Sequence, residues 1–142
     1  MDLSIIIVNY KSAAKLENCL QSLAVADFGN IDYEIIVVEN ASGDNLQSLV
    51  ARFSSVRLLN SPENLGMGGG NNLGIKASRG RFILVANPDL VFSPEAVKQM
   101  YEYFYAHPEI GILGPKLLNP DGSLQYSCAR FPNFFLPVIR RT

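Results

Sequence analysis

The chain has 142 residues, of which 48% are hydrophobic and 18% are charged, and its formal net charge is −1. This composition is typical of one globular domain and unlike that of a disordered chain. A charge so close to zero argues against proteins that bind nucleic acid or anionic lipid through clustered Lys and Arg. If such a chain handles phosphates, a metal ion is expected to help hold them.

The number and spacing of the cysteines and the histidine argue against further classes of protein. Cys19 and Cys128 are too far apart for a disulfide scaffold or for paired zinc ligands, which favours a reducing compartment. His107 is the single histidine of the sequence, so a Ser-His-Asp triad and multi-histidine metal sites are excluded as working hypotheses. No apolar run approaches the roughly 18 to 20 residues that span a bilayer, and the start does not resemble a signal peptide. The sequence therefore predicts a soluble, cytoplasmic protein.

The first half of the chain alternates strand and helix patterns. Residues 3–8 form a continuous β-branched run, which is typical of a strand buried on both faces. The following apolar residues have helical spacing: Leu16, Cys19, Leu20 and Leu23. A second strand is predicted over residues 33–38, and a second helical stripe follows it: Leu46, Leu49, Val50 and Phe53.

The second half continues the alternation as far as Pro108. Strands are predicted over residues 56–59 and 81–86, and a helix over about 71–78 between them, after a Gly-rich stretch. Ser93 and Pro94 then mark the start of a helix that ends at His107 before Pro108. Residues 116–118 and 123–126 flank a turn sequence and predict a hairpin. The apolar tail, residues 131–142, is interpreted as an interrupted element.

Strands that alternate with helices predict a parallel sheet, because parallel neighbours need crossover connections. The expected fold class is α/β, with a doubly wound, mostly parallel, Rossmann-like sheet and a C-terminal hairpin. Residues 1–142 are expected to form one domain that is incomplete at its C-terminus.

Ligands of open α/β sheets bind beyond the carboxyl ends of the strands. The candidate residues are therefore those that directly follow each predicted strand. Four polar groups stand there: Asn9-Tyr10-Lys11, Glu39-Asn40-Ala41-Ser42, residues 60–72 and Asn87-Pro88-Asp89.

The Gly-rich stretch, residues 66–74, matches neither common phosphate-binding motif. GxGxxG from Gly66 would need glycine where Asn71 stands, and a Walker A loop from Gly69 would need lysine where Ile75 stands. A Rossmann oxidoreductase is therefore disfavoured. Backbone amides at a helix start could still face phosphate, and the amides of Asn64, Asn71 and Asn72 suit sugar hydroxyls.

The tripeptide Asn87-Pro88-Asp89 follows a predicted buried strand. A rigid turn at that position could hold the Asp89 carboxylate where Mg²⁺ or Mn²⁺ bridges a diphosphate. The same tripeptide recurs as Asn119-Pro120-Asp121, but there glycine follows it between two hairpin strands. The position of the turn, rather than its letters, distinguishes a metal site from a plain turn.

Taken together, the chain resembles family 2 glycosyltransferases of the A-type fold, in particular their bacterial rhamnosyltransferase-like branch. The resemblance is carried in order by these segments: Ile7-Val8-Asn9-Tyr10; Val37-Val38-Glu39-Asn40-Ala41-Ser42; residues 64–74; Asn87-Pro88-Asp89; residues 114–123; Arg130-Phe131-Pro132.

This resemblance implies a nucleotide-sugar site in which Asn9, Tyr10 and Glu39 surround the base, and Asn87 and Asp89 stand at the metal-binding DxD position. Two residues depart from the family pattern, because Glu39 replaces an Asp and Asn87 replaces the first Asp of DxD. The full candidate set for the nucleotide sugar is Asn9, Tyr10, Glu39, Asn40, Asn64, Gly66, Asn71, Asn72 and Asn87, with Asp89 as the metal ligand.

The reaction implied by the resemblance is transfer of a sugar from a UDP- or dTDP-linked donor to an acceptor hydroxyl with inversion, in cell-surface polysaccharide or glycan synthesis. Rhamnose is the sugar that it favours. A glycan or lipid-linked acceptor and peripheral association with the inner face of the membrane are the matching expectations. The catalytic base is expected beyond Thr142 and is assigned to no residue here.

Two alternatives stay open from the sequence. A nucleotidyltransferase that makes nucleotide sugars shares the fold and the metal carboxylate, but its Gly-rich loop should follow the first strand, where Asn9-Tyr10-Lys11-Ser12 stands. A binding module without catalysis is the second alternative.

Overall fold

The structure is a computed structural model that describes residues 1–125. The chain divides into two compact units, the first of which is Met1–Ala106, while the second begins at His107. The first unit contains every helix and strand that the structure describes: β1 Leu3–Asn9, α1 Ala13–Ala24, β2 Tyr33–Glu39, α2 Gln47–Val50, β3 Val56–Asn60, α3 Gly66–Ala77, β4 Phe82–Ala86 and α4 Ala96–Ala106.

The four strands form one parallel sheet in the order β3-β2-β1-β4. Asn9 pairs with Glu39, and Glu39 pairs with Asn60, so the last residues of β1, β2 and β3 lie side by side. Two backbone hydrogen bonds continue the ladder past the strands, from Asn40 N–H to the Asn9 carbonyl (3.0 Å) and from Ser61 N–H to the Glu39 carbonyl (2.8 Å). The predicted parallel α/β sheet is confirmed.

The sheet is covered on both faces, as expected for a doubly wound fold. Ile5 and Ile7 of β1 pack on one face with the buried side of α1, whereas Ile6 packs on the other with residues of α3. The strand alternation sends neighbouring side chains to opposite faces, and every residue of β1 except the partly buried Val8 is therefore buried. The four apolar residues predicted for α1 are all buried: Leu16, Cys19, Leu20 and Leu23.

The second helix is much shorter than its apolar stripe predicts. α2 covers only Gln47–Val50. Its chain then tightens into i to i+3 hydrogen bonds, from Arg52 N–H to the Leu49 carbonyl and from Phe53 N–H to the Val50 carbonyl. The apolar residues of the predicted stripe still pack on the core. One helical turn followed by i to i+3 hydrogen bonds is therefore enough to bury them.

The third helix begins at Gly66, about five residues earlier than predicted, and it includes the Gly-rich stretch. The predicted helix start near residue 71 is therefore too late, and the reason lies in helix-to-sheet packing. A Cβ on Gly70 would stand 2.8 Å from Cγ1 of Val8, and a Cβ on Gly74 would stand 2.4 Å from Cγ2 of Ile6. These two glycines, one turn apart, let α3 lie closer to β1 than a side chain would allow.

Replacing Gly74 with alanine is expected to destabilise the fold by about 1 to 3 kcal/mol, because the new methyl group overlaps the fully buried Ile6. Gly68→Ala is the matched control within the same helix, since nothing lies within 4 Å of its Cβ position. Alanine there should stabilise by roughly 0.5 to 1 kcal/mol through helix propensity. Urea unfolding of both variants measures the difference; equal stabilities would contradict close packing at Gly74.

The last helix and the hairpin were predicted in the correct places. α4 ends at Ala106, directly before His107. In the second unit, Leu118 and Leu124 form an antiparallel bridge, and Asn119 N–H donates to the Ser123 carbonyl (2.8 Å). Gly122 takes a left-handed φ of 81°, as a tight turn requires. The hairpin is confirmed over residues 117–125.

Several sequence-based expectations lie outside the described residues. They concern Tyr126 of the hairpin, Cys128, the Arg130-Phe131-Pro132 segment and the tail, residues 131–142. Over residues 1–125, no helix has the length and apolar character needed to cross a membrane.

Candidate functional site: the carboxyl edge of the sheet

Asn9 forms the centre of a buried polar cluster at the end of β1. Its side chain is fully buried, and its amide donates to Glu39 Oε2 (2.9 Å) and to Asp44 Oδ2 (2.8 Å). Its side-chain oxygen accepts from the Ser12 hydroxyl (3.1 Å). The side-chain amide of Asn9 therefore binds two carboxylates that lie at and just after the end of β2. We call Asn9, Glu39, Ser42 and Asp44 the carboxylate clamp.

Glu39, the last residue of β2, directs its carboxylate into this clamp. Glu39 Oε1 accepts hydrogen bonds from the Ser42 N–H (2.6 Å), the Ser42 hydroxyl (2.8 Å) and the Gly43 N–H (3.2 Å). The residue is only 7% exposed. In this arrangement, Glu39 shapes the loop after β2. The base of a nucleotide could hydrogen-bond to the Glu39 carboxylate only by competing with these donors.

Asp44 carries the second carboxylate of the clamp, and the sequence analysis missed it. Its Oδ2 accepts from the Ser12 N–H (3.2 Å) at the start of α1. The Asn9 amide, with the Ser42 hydroxyl and the N–H groups of Ser12 and Ala13, holds the pKa of Asp44 below its ordinary value, although desolvation opposes the shift. An anion at this point satisfies free N–H groups of the helix start and complements its dipole.

Two non-glycine residues at this edge have left-handed backbones. Lys11 has a φ of 52° and Ala41 a φ of 56°, and each follows a clamp residue by two positions, Asn9 and Glu39 respectively. Such conformations cost about 1 to 2 kcal/mol and persist where the surroundings fix the chain. The clamp supplies that constraint, so both loops leave their strands in a fixed direction.

Asn40 organises the neighbouring loop after β3. It is 2% exposed, and its amide donates to Asn64 Oδ1 (3.0 Å) and to the Gly66 carbonyl (3.3 Å). Its side-chain oxygen accepts from the Leu65 N–H (3.0 Å). Asn64 Oδ1 also accepts a hydrogen bond from the Gly66 N–H (2.9 Å), and Gly66 has a φ of 67°. Asn40 thus holds the chain where it turns into α3.

A cleft of about 320 Å³ opens above these residues. That size is at the lower end of the range for small-molecule sites. Tyr10 and Met67 are exposed large hydrophobic side chains of its wall, at 44% and 60%. The whole lining consists of Val8, Tyr10, Ser12, Asn40, Asn64, Gly66, Met67 and Pro88. All four strand ends therefore contribute to one concave surface with an apolar wall and a polar floor.

The turn after β4 borders the same cleft through Pro88. Asn87 and Asp89 are exposed, and the Asn87 carbonyl accepts from the Leu90 N–H (3.3 Å). Beneath the turn, the thiol of Cys19 faces the same carbonyl at 3.9 Å, and burial, with a smaller effect of Asp89, raises the pKa of Cys19 to about 12. Cys19 therefore stays a neutral thiol under the turn.

The Asp89 carboxylate is accessible, with 55% of its side chain exposed, and Lys15 Nζ lies 3.9 Å from its Oδ2. Over the described part of the chain, no three Asp, Glu, His or Cys side chains form a group that could hold a metal ion by themselves. Mg²⁺ in phosphate-binding sites commonly takes one or two carboxylates and receives its other ligands from phosphates and water. One exposed carboxylate beside a cleft fits this donor set.

The structure brings most of the predicted site residues together. Tyr10, Asn40, Asn64 and Gly66 line the cleft, while Asn9 and Glu39 lie in the clamp. Asn71 and Asn72 stand within α3 and are not part of the lining. The sequence analysis missed Asp44, Met67 and the cleft-lining role of Ser12, and it gave no role to Lys15.

A family model described as glycosyl transferase family 2 matches residues 4–140. The chain belongs to this family. The family resemblance stated from the motifs is therefore confirmed, and the cleft lies at the sheet edge where open α/β folds bind their ligands.

Two relatives illustrate the family. A low-salt glycan biosynthesis hexosyltransferase (Agl10) of Haloferax volcanii is 34% identical over 85% of this chain and 38% of its own. An N-acetylglucosaminyl-diphospho-decaprenol L-rhamnosyltransferase of Mycobacterium tuberculosis is 31% identical over 92% of this chain and 46% of its own. The chain thus spans less than half the length of either relative.

The fold also matches a solved glycosyltransferase structure. Residues 1–349 of TarS from Staphylococcus aureus, in complex with UDP-GlcNAc, superpose with a TM-score of 0.69 at 26% identity. The match covers 76% of this chain and 32% of that structure. This likeness supports the glycosyltransferase A-type fold for this family 2 chain.

Proposed function

We propose that the chain binds a nucleoside-diphosphate sugar at the carboxyl edge of its sheet, and that the whole protein transfers the sugar to an acceptor hydroxyl with inversion. The observation that supports this most is the cleft itself, because it unites all four strand ends beside the exposed Asp89 carboxylate. Family membership favours this function over nucleotidyl transfer.

Within this proposal, the base and ribose lie in the part of the cleft bordered by Tyr10, Asn40 and Asn64. The ring of Tyr10 offers an apolar surface, and the two amides are fixed by their mutual hydrogen bond. The carboxylate clamp acts behind this surface by holding the loops that carry it. In the free protein, Asn9 and Glu39 then position these loops and do not offer exposed groups to the nucleotide.

The diphosphate lies toward the Asn87-Pro88-Asp89 turn. Asp89, with Asn87 as the other polar residue of the motif, would hold Mg²⁺ or Mn²⁺ there, and the metal would neutralise charge on the departing diphosphate. The described residues supply binding and orientation, and no catalytic base is assigned among them.

The donor and acceptor follow from the relatives as proposals. One relative is described as a rhamnosyltransferase acting on a diphospho-decaprenol substrate, and the TarS structure holds UDP-GlcNAc. We therefore propose a dTDP- or UDP-linked donor, with rhamnose as the first sugar to test, and a glycan or lipid-linked acceptor. A cytoplasmic protein at the inner face of the membrane would meet such substrates.

Nucleotide binding is the direct test. With Mn²⁺ present, UDP or dTDP at about 100 times its Kd should stabilise the folded protein by roughly 2.7 kcal/mol, which is a thermal shift of several degrees. GDP, ADP and inorganic pyrophosphate are the controls, because a pyrimidine site should discriminate against them. A folded protein whose melting temperature responds to none of the nucleoside diphosphates would contradict the proposed function.

A further inference from the structure

Lys15 places an exposed positive charge beside the Asn87-Pro88-Asp89 turn. It stands in the first turn of α1, and its Nζ lies 3.9 Å from Asp89 Oδ2. Both side chains remain more than half exposed, at 66% and 55%. An ion pair this long and this open contributes little to folding. The ion pair therefore gives Lys15 no large part in stability, which leaves its ammonium group available to a ligand at this edge.

The charged groups around the cleft indicate what kind of ligand the Lys15 ammonium could contact. Glu39 and Asp44 are committed to hydrogen bonds within the clamp, and Asn87 is neutral. Asp89 is therefore the exposed carboxylate of its turn, and the Lys15 ammonium stands 3.9 Å from it in the free protein. A second ammonium, that of Lys11, lies 5.4 Å from the centre of the Tyr10 ring on the same edge.

An ammonium group and a divalent cation compete for a single carboxylate, because each is repelled by the other at contact distance. A diphosphate changes this balance, since its oxygens offer several acceptors for a cation on a flexible four-carbon stem. Lys15 can leave Asp89 when a diphosphate arrives, and the carboxylate then becomes available to the metal.

We propose that Lys15 is a second cation of the diphosphate site: it competes with the divalent metal for Asp89 in the free protein and contacts the diphosphate in the complex. This inference rests on the proposed function and adds a residue to it. It also accounts for a site with a single acidic metal ligand, because Lys15 supplies part of the charge that the diphosphate requires.

The test measures two affinities of opposite expected direction in Lys15→Met. In EDTA, titration calorimetry with dTDP and with UDP should show a loss of about tenfold or more, the effect of removing one charge-assisted hydrogen bond. Without nucleotide, Mn²⁺ binding followed by electron paramagnetic resonance should tighten by roughly three- to tenfold, because the competing charge is gone. Lys15→Arg should keep most of the nucleotide affinity.

Lys98→Met is the matched control. It removes the same charge and breaks a shorter ion pair, that of Lys98 Nζ with Asp27 Oδ2 at 2.9 Å, beyond the opposite end of α1. Both affinities should stay at the wild-type value in this variant.

The possible outcomes separate the two proposals. If the wild-type protein binds no nucleoside diphosphate under any condition, the proposed function itself fails. If it does bind, and Lys15→Met retains either wild-type nucleotide affinity in EDTA or wild-type Mn²⁺ affinity, the role given to Lys15 is overturned.

Discussion

Replacing Asp89 with alanine is expected to abolish metal-assisted binding of UDP or dTDP while leaving the fold intact. Asp89 is exposed in the turn that borders the cleft, and no cluster of three potential metal ligands occurs among residues 1–125 that could replace it. Its neighbour Asn87 is neutral. Titrating Mn²⁺ in the presence of either nucleotide should show the wild-type gain in affinity and no gain in the variant.

Asp121→Ala is the control for this experiment, because Asp121 ends an identical tripeptide in the hairpin. There the carboxylate accepts hydrogen bonds from the N–H (2.9 Å) and hydroxyl (2.6 Å) of Ser123, so it serves the turn. Its loss should leave the Mn²⁺ effect unchanged and alter stability by about 0.5 kcal/mol or less. Metal-assisted binding of wild-type strength by Asp89→Ala would show that the metal site was assigned to the wrong residue.

The strands and the sheet could be predicted because burial leaves a local signal in the sequence. The apolar segments placed all four strands within about one residue, and the crossover argument gave their parallel direction. The start of α3 could not be predicted in the same way. Glycine is a poor helix former, and only the distance of Gly70 and Gly74 from the sheet explains why the helix includes them.

The site was predicted only where its residues follow strands. Tyr10, Asn40 and Asn64 reach the cleft because parallel strands end at one edge. The hydrogen bonds of Asn9 were not predictable, since they join residues 30 and 35 positions apart and use both hydrogens of one amide. Asp44 is an acid in a polar loop, and its sequence context does not distinguish it from a solvated surface residue.

The role of Lys15 was hidden for a related reason. It lies on the exposed side of an amphipathic helix, where a lysine is expected in any case. Its proximity to Asp89 depends on β1 and β4 being neighbours, which follows from the sheet order and not from either segment alone.

Asn9→Ala is expected to destabilise the protein by about 2 to 4 kcal/mol at neutral pH. The change leaves the buried Glu39 carboxylate and the partly buried Asp44 carboxylate without the donor between them. Asn119→Ala is the matched control, because that exposed amide donates one hydrogen bond, to Ser123 Oγ (2.9 Å), in the hairpin. It should cost about 0.5 kcal/mol or less.

The destabilisation by Asn9→Ala should also depend on pH. The titration of Asp44 determines whether it grows or shrinks as the pH falls. Because its pKa is depressed in the folded state, Asp44 contributes stability that is present above its unfolded pKa, about 3.9, and is lost as the pH falls through the folded value. Asn9 is the largest cause of that depression. The difference between wild type and variant should therefore be greatest near neutral pH and shrink below about pH 4.

Urea unfolding of wild type, Asn9→Ala and Asn119→Ala at pH 7 and at successive values down to pH 3 tests both expectations. If Asn9→Ala does not fold, Asp44→Asn replaces it, since that variant keeps the shape of the side chain and should flatten the acid limb of the stability curve. A stability of Asn9→Ala within 0.5 kcal/mol of wild type at pH 7, or an Asp44→Asn acid limb identical to wild type, would contradict the clamp as the element that holds the edge of the site.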